Sequence, residues 1–295
     1  MRRPVAVLAV LAVAAGAPPA AAAGLALDRP ATALTGDAVR AAGSVGVPAA
    51  GRTVVVRLFG GDGRRRLARR ATTNAAGRFA VTLPAPAAGR YELRAHGADG
   101  ARAAARLEVL PRRVGGRSGA RAVRALQRRL DALGYVVGAP GRLDARTARA
   151  VLSFRKVTGM ARTTSADLAV MRRLARGAGR FRVRFPRHGR HVEADLSRQV
   201  VALVDGARVE RIYPTSSGAP ATPTVLGSFR VYRKDAGTNA LGMVHSAYFI
   251  RGYAIHGFAS VPTFNASHGC LRVPVPDARP IFDWVRLGTR VDVYP

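Results

Sequence analysis

The period at which apolar residues recur changes twice along this 295-residue chain, and each change restricts the segment to a different kind of fold. From 24 to 110 the apolar residues come in short alternating runs. Examples are Thr53-Val54-Val55-Val56-Arg57-Leu58-Phe59 and Arg78-Phe79-Ala80-Val81-Thr82-Leu83. Turn formers separate them, as in Gly60-Gly61-Asp62-Gly63. Alternation puts every second side chain on one face of a strand, and about seven such strands at regular spacing predict an all-β sandwich over 24–110.

From 116 to 174 the period becomes helical. Val123, Leu126, Leu130 and Leu133 share a helix face that ends at Gly134. Asp144 is placed to cap a second helix carrying Thr147, Val151 and Phe154, and Gly159 stops it. Ser165 or Asp167 opens a third, through Leu174. Pro111 to Gly119 and the Gly- and Arg-rich Arg176 to Gly189 read as linkers. From 190 to 294 alternation returns. Val192, Ala194 and Leu196 alternate, Val200 to Val204 is a strand, and Asp205-Gly206 is a hairpin turn. One helix is expected from Asp277 to Leu287, burying Ile281 and Trp284, before a last strand from Arg290 to Tyr294. The chain therefore reads as multidomain: an all-β sandwich, a three-helix module, and a mostly-β domain with one packed helix.

Residues 1–23 have the form of a targeting segment. Arg2 and Arg3 precede the apolar run Val5 to Ala15, and Ala21-Ala22-Ala23 offers the small residues of a signal-peptidase site. Secretion is the expectation, with an uncleaved anchor as the alternative. A secreted chain with one cysteine forms no intramolecular disulfide. The formal net charge of +31 is nearly all arginine, since Lys156 and Lys234 are the only lysines. Such a chain favours polyanions. The arginines are spread through every segment and are not interleaved with aromatics, which argues against specific nucleic-acid recognition. Anionic wall polymers and lipid headgroups remain as nonspecific partners.

One stretch carries chemistry. Cys270, the single cysteine, lies in Ser267-His268-Gly269-Cys270-Leu271-Arg272. His256-Gly257 stands upstream at the end of the apolar run Tyr253-Ala254-Ile255. A thiol becomes a strong nucleophile when a base or dipole assists its ionisation. Gly269 suggests a turn that exposes the amides of Gly269 and Cys270, as an oxyanion hole requires. A loop containing Pro262 and Asn265 returns the chain so that His256 can serve Cys270 as base. A zinc site from His256, His268 and Cys270 is the competing reading; it lacks the usual ligand spacings and a carboxylate partner. A buried structural cysteine is the other.

These residues resemble the L,D-transpeptidase family, whose pattern is a histidine, a short spacer and a Ser/Thr-His-Gly-Cys run. The resemblance covers roughly 190–294. It implies Cys270 as nucleophile, His256 as proton acceptor and the Gly257 carbonyl as the group that orients the imidazole. His268, Gly269 and Ser267 are implied as oxyanion and support residues, Arg272 and Tyr253 as substrate-binding. The helical order with Gly141-Arg142-Leu143-Asp144 is similar to the three-helix peptidoglycan-binding module, over roughly 116–174. The sandwich resembles bacterial immunoglobulin-like wall modules in its pattern alone and reads as a spacer. The resemblance implies an enzyme that acts on peptidoglycan stem peptides without metal or cofactor and is acylated by carbapenems. Two alternatives stand beside it: an L,D-carboxypeptidase that uses water as acceptor, and a non-catalytic wall-binding protein.

Overall fold

Alternation along the N-terminal third produces strands that are buried on one side only. The computed structural model describes residues 24–46 and 50–295; the expected targeting segment, 1–23, lies outside the described residues. The strands are β1 (Ala26–Leu27), β2 (Ala33–Leu34), β3 (Ala38–Ser44), β4 (Thr53–Gly60), β5 (Arg65–Thr72), β6 (Arg78–Pro84), β7 (Gly89–Gly97) and β8 (Arg102–Leu110). They form two sheets, ordered β1-β3-β6 and β2-β8-β7-β4-β5. Val54, Val56 and Leu58 of β4 and Leu93 and Ala95 of β7 point between the sheets and are buried.

Three helices follow: α1 (Ala120–Asp131), α2 (Ala145–Val157) and α3 (Leu168–Ala175). Asp144 and Asp167 cap the second and third, each side chain accepting a backbone N–H from three residues ahead, Thr147 and Val170. The C-terminal region comprises β9 (Arg190–Asp195), β10 (Val200–Asp205), β11 (Arg208–Pro214), β12 (Gly227–Arg230), β13 (Arg233–Thr238), β14 (Val244–Ile250), β15 (Tyr253–Phe258), β16 (Leu271–Pro274), α4 (Val275–Trp284) and β17 (Arg290–Tyr294). Two sheets result, β11-β10-β9-β17-β12 and β13-β14-β15-β16. The architecture is thus an N-terminal β region, a three-helix region and a mostly-β C-terminal domain with one helix.

The helical region shares a core with the β11-β10-β9-β17-β12 sheet. A strand that is apolar at every position must be covered on both faces. Val200 to Val204 is such a strand, and all five residues are buried. Val201 and Leu203 point into the C-terminal core with Ile255, Leu271 and Ile281. Val200, Ala202 and Val204 point the other way, into a core with Leu130, Tyr135, Val151 and Phe154 of the helices. Polar contacts reinforce the join. Tyr135 Oη donates to Gly179 O (2.6 Å), and Ile212 N donates to Gly134 O (2.8 Å). Pro280 lies inside α4 and has no N–H to give the Pro276 carbonyl; Arg146 of α2 donates to that oxygen instead (2.5 Å). Arg146 and Arg149 also pair with Asp277, a carboxylate only 2% exposed.

The stretch 176–189, expected as a linker, is packed in place. Phe181 is buried, and the amides of Arg184 and Phe185 donate to buried Glu193. Its Gly and Arg content concealed a few apolar side chains and backbone donors that the sheet uses.

Candidate active site

β15 and β16 run parallel, with Ile255 opposite Leu271 and His256 opposite Arg272. Cys270 ends the turn that feeds β16, so its register brings it beside β15. The turn depends on Gly269. Its φ is +106°, a region L-residues avoid, and a Cβ there would lie 2.3 Å from the Tyr253 ring. Gly257 is needed for a different reason: a Cβ would meet Ala278 of α4 at 2.7 Å. That close approach lets α4 pack directly behind the histidine strand.

His256, Cys270, Tyr253, Ser267, His268 and Arg272 all line one cavity of about 520 Å³. His256 is buried. Its Nδ1 donates to the Gly257 carbonyl at 2.9 Å, because a carbonyl oxygen can only accept. The bond fixes the tautomer and leaves Nε2 with a lone pair. Cys270 packs against an apolar group of Met243, Tyr248 and Ala254, and its thiol faces the Gly252 carbonyl at 3.7 Å.

The surroundings shift both groups toward their neutral forms. Burial pushes the Cys270 thiol up, against the smaller opposing pull of the Ala254 backbone and Arg272. Burial holds His256 below its usual value, Arg272 adds to that, and the Gly257 carbonyl opposes it. Both shifts run against a resident thiolate–imidazolium pair.

The supporting residues are placed differently from one another. Ser267 Oγ donates to Cys270 O (2.6 Å) and accepts from Gly269 N (3.1 Å). The Gly269 amide, expected to be free for an oxyanion, is thus engaged within the turn. Among the described residues, the Cys270 amide has no such partner. His268 is exposed on the cavity wall. Arg272 stacks its guanidinium 4.2 Å above the Phe258 ring and donates to Ala266 O (3.3 Å). Its backbone is braced by Ser216 and Thr215.

Leu241, Met243, Gly252 and Phe258 also line the cavity and escaped sequence reasoning. Leu241 is 75% exposed, a large apolar side chain left at the mouth. Nothing local in the sequence ties Leu241 to a cysteine far along the chain. Among the described residues no group of three or more His, Cys, Asp or Glu could hold a metal ion. No helix among them is long and apolar enough to cross a membrane.

The L,D-transpeptidase catalytic domain profile matches residues 189–293. The peptidoglycan binding domain profile matches 120–174. No curated protein matches the chain. Among solved structures, the chain is similar to the L,D-transpeptidase of Xylanimonas cellulosilytica, with 35% identity over 58% of this chain and 92% of that one, at a TM-score of 0.55. It also matches the Ldtfm–avibactam carbamoyl enzyme, with 26% identity over 36% of this chain and 49% of that one (TM-score 0.33). The L,D-transpeptidase of Stackebrandtia nassauensis matches with 18% identity over 62% and 93% (TM-score 0.39). Cell-wall enzyme domains of this kind point to an extracytoplasmic location. By its match to the Xylanimonas enzyme and to the catalytic profile, the chain belongs to the L,D-transpeptidase family and carries a peptidoglycan-binding domain ahead of its catalytic domain.

Proposed function

We propose that the protein is a secreted peptidoglycan L,D-transpeptidase in which Cys270 is the nucleophile and His256 the general base. The observation that carries this is the shared cavity, in which Gly257 fixes the His256 tautomer with Nε2 unprotonated. A donor stem peptide presents the carbonyl of its diamino acid to Cys270. The sulfur attacks while His256 takes the thiol proton, so a reactive thiolate forms only as the bond is made. The Cys270 amide donates to the developing oxyanion, joined by the Gly269 amide if Ser267 releases it. The tetrahedral intermediate collapses, the C–N bond breaks, and His256 returns its proton to the departing D-Ala amine. An amine of a second stem then attacks the thioester, loses a proton to His256 and forms the cross-link, restoring the thiol. Arg272 and Tyr253 contact the stem, Arg272 as the cation for a carboxylate.

The helical region holds the enzyme on its polymeric substrate, and residues 1–23 direct export. Purified tetrapeptide stems incubated with the protein and followed by mass spectrometry test the reading. A dimer with release of D-Ala is expected. Trimmed monomer alone would make the protein a carboxypeptidase, and no change would leave it a wall-binding protein.

A further inference from the structure

Arginine spread evenly in sequence is not spread evenly in space. Period-two alternation sends every second residue of β4, β5, β7 and β8 to the solvent face of the five-stranded sheet, and the strand register sorts them into rows. One row runs Arg102–His96–Val55–Arg70. The next is Ala104–Arg94–Arg57–Ala68. The third is Arg106–Glu92–Phe59–Arg65, and Arg90 opposite Glu108 ends the face. Rows repeat about every 7 Å along a strand. The outer face of the partner sheet, β1-β3-β6, follows the same alternation but carries only Arg40 and Arg78, and Arg78 is paired with Asp28. A drift of the whole composition toward arginine does not produce that asymmetry within one sandwich.

The charge on this face is arranged against the stability of the sheet. Arg57 and Arg94 are directly opposite across β4 and β7, a like-charge pairing that destabilises a sheet. Arg57 turns to His96 Nδ1 (3.0 Å), which must be unprotonated to accept. Arg94 lies 4.3 Å over Phe59 and pairs with Glu92. Arg70, Arg102 and Arg106 make no hydrogen bond or ion pair among the described residues. Two hollows, of about 670 and 500 Å³, open on the same face and share Arg94. The larger runs on to Arg29 and to Arg129 of α1.

We infer that the outer face of the β2-β8-β7-β4-β5 sheet is a binding surface for a linear phosphodiester polymer of the cell envelope. Guanidinium groups suit phosphate because they offer paired donors and desolvate readily. Arg102 and Arg106 stand two rows apart on β8, about 14 Å, and Arg70 lies across the sheet in the row of Arg102, so a flexible chain can bring separate phosphates to each of them. Nucleic acid fits the same charge less well. The rows hold two rings, Phe59, already covered by Arg94, and the His96 imidazole, already engaged by Arg57, so the face offers no free stacking platform for bases. The choice of an envelope polymer also rests on the extracytoplasmic reading above. The sandwich then tethers the enzyme to an anionic wall component while the helical region engages peptidoglycan.

The test uses the full chain with fluorescent poly(glycerol phosphate) as probe, by anisotropy over a series of salt concentrations. Arg70→Gln, Arg102→Gln and Arg106→Gln are combined in one variant. A charge-matched control combines Arg40→Gln, Arg172→Gln and Arg286→Gln, away from the face. Because none of the three face arginines holds another residue, the variant should melt as the parent does. Binding by the face variant is expected to weaken at least tenfold, with a shallower dependence on log salt, while the control changes less than twofold. Equal loss in both variants would reduce the effect to net charge and overturn the proposal. Tighter binding of a single-stranded oligonucleotide of equal charge would overturn it in favour of nucleic acid. Stem-peptide turnover in solution should be unchanged in the face variant, so failure here is separable from failure of the catalytic assignment.

Discussion

Replacing Lys156 by Met tests whether the helical and catalytic regions behave as one folding unit. Lys156 is 3% exposed and reaches out of α2 to donate to Gln199 O (3.0 Å) and Thr215 O (2.9 Å). Burial, with a smaller push from Arg162, lowers its pKa to about 7. A neutral amine has two N–H bonds, matching the two carbonyls it faces. In the unfolded chain the group titrates near its ordinary value of 10.5. Between these two values the unfolded chain binds a proton that the folded chain has released, so stability rises with pH across that window and this contribution is flat below it. At about 1.36 kcal/mol per pKa unit, the parent should gain on the order of 3 kcal/mol between pH 6.5 and 9.5 relative to a variant that cannot titrate. The variant also leaves each carbonyl one donor short, at a cost of about 1–3 kcal/mol. Trp284, the single tryptophan, reports urea unfolding of the catalytic side. Stability of parent and Lys156→Met is compared at pH 6.5, 8.0 and 9.5. The gap should widen with pH through a single transition. A constant gap would mean that the amine stays charged in the interface and would refute the reasoning. Gln199 also binds the Ser217 amide and hydroxyl, and Ser217 O accepts from Ala266 and Ser267 N. Cys270 acylation should therefore slow several-fold in the same variant.

Carbapenem acylation, read by intact-protein mass, should be lost in Cys270→Ala and slowed by about a hundredfold or more in His256→Ala, the scale of a general base. Because His256 is held below its ordinary value, the rate should persist as pH falls to 6.5 and decline only further down, as the imidazole takes a proton. His268→Ala, at an exposed position, should cost much less; a larger loss there would transfer the role of base to His268. Removing both arginines that face buried Asp277, as Arg146→Ala with Arg149→Ala, should destabilise the chain by about 3 kcal/mol in urea, the scale for leaving a buried charge unpaired. An unchanged midpoint would show that this ion pair does not hold α2 to α4. Gly269→Ala should abolish acylation while costing about 1–3 kcal/mol of stability, the scale of local backbone strain. A variant acylated at the parental rate would show that the turn tolerates a side chain against Tyr253.

The sequence by itself determined what is local. Two changes of hydrophobic period set the order of β, helical and β regions, since side-chain direction follows directly from strand or helix geometry. Asp144 announced one helix start and the pair Ser165 or Asp167 another, because a cap acts within three residues; the fold gives the second cap to Asp167. Cys270, His256 and the intervening glycine turn were recognisable as a group because the sequence run itself carries them. Tertiary structure decided the rest. The unbroken apolar run Val200 to Val204 required cover on both faces, but nothing in the run named Tyr135 and Phe154 as that cover. The pairing of Pro276, freed by Pro280, with Arg146 depends on a docking more than a hundred residues away in sequence. Protonation at the site came from burial, which a sequence does not state: the same Cys and His in water would not both be held neutral by their surroundings. The arginines looked diffuse along the chain because strand register, set by the whole sandwich, is what brings Arg57, Arg94 and Arg102 onto one face.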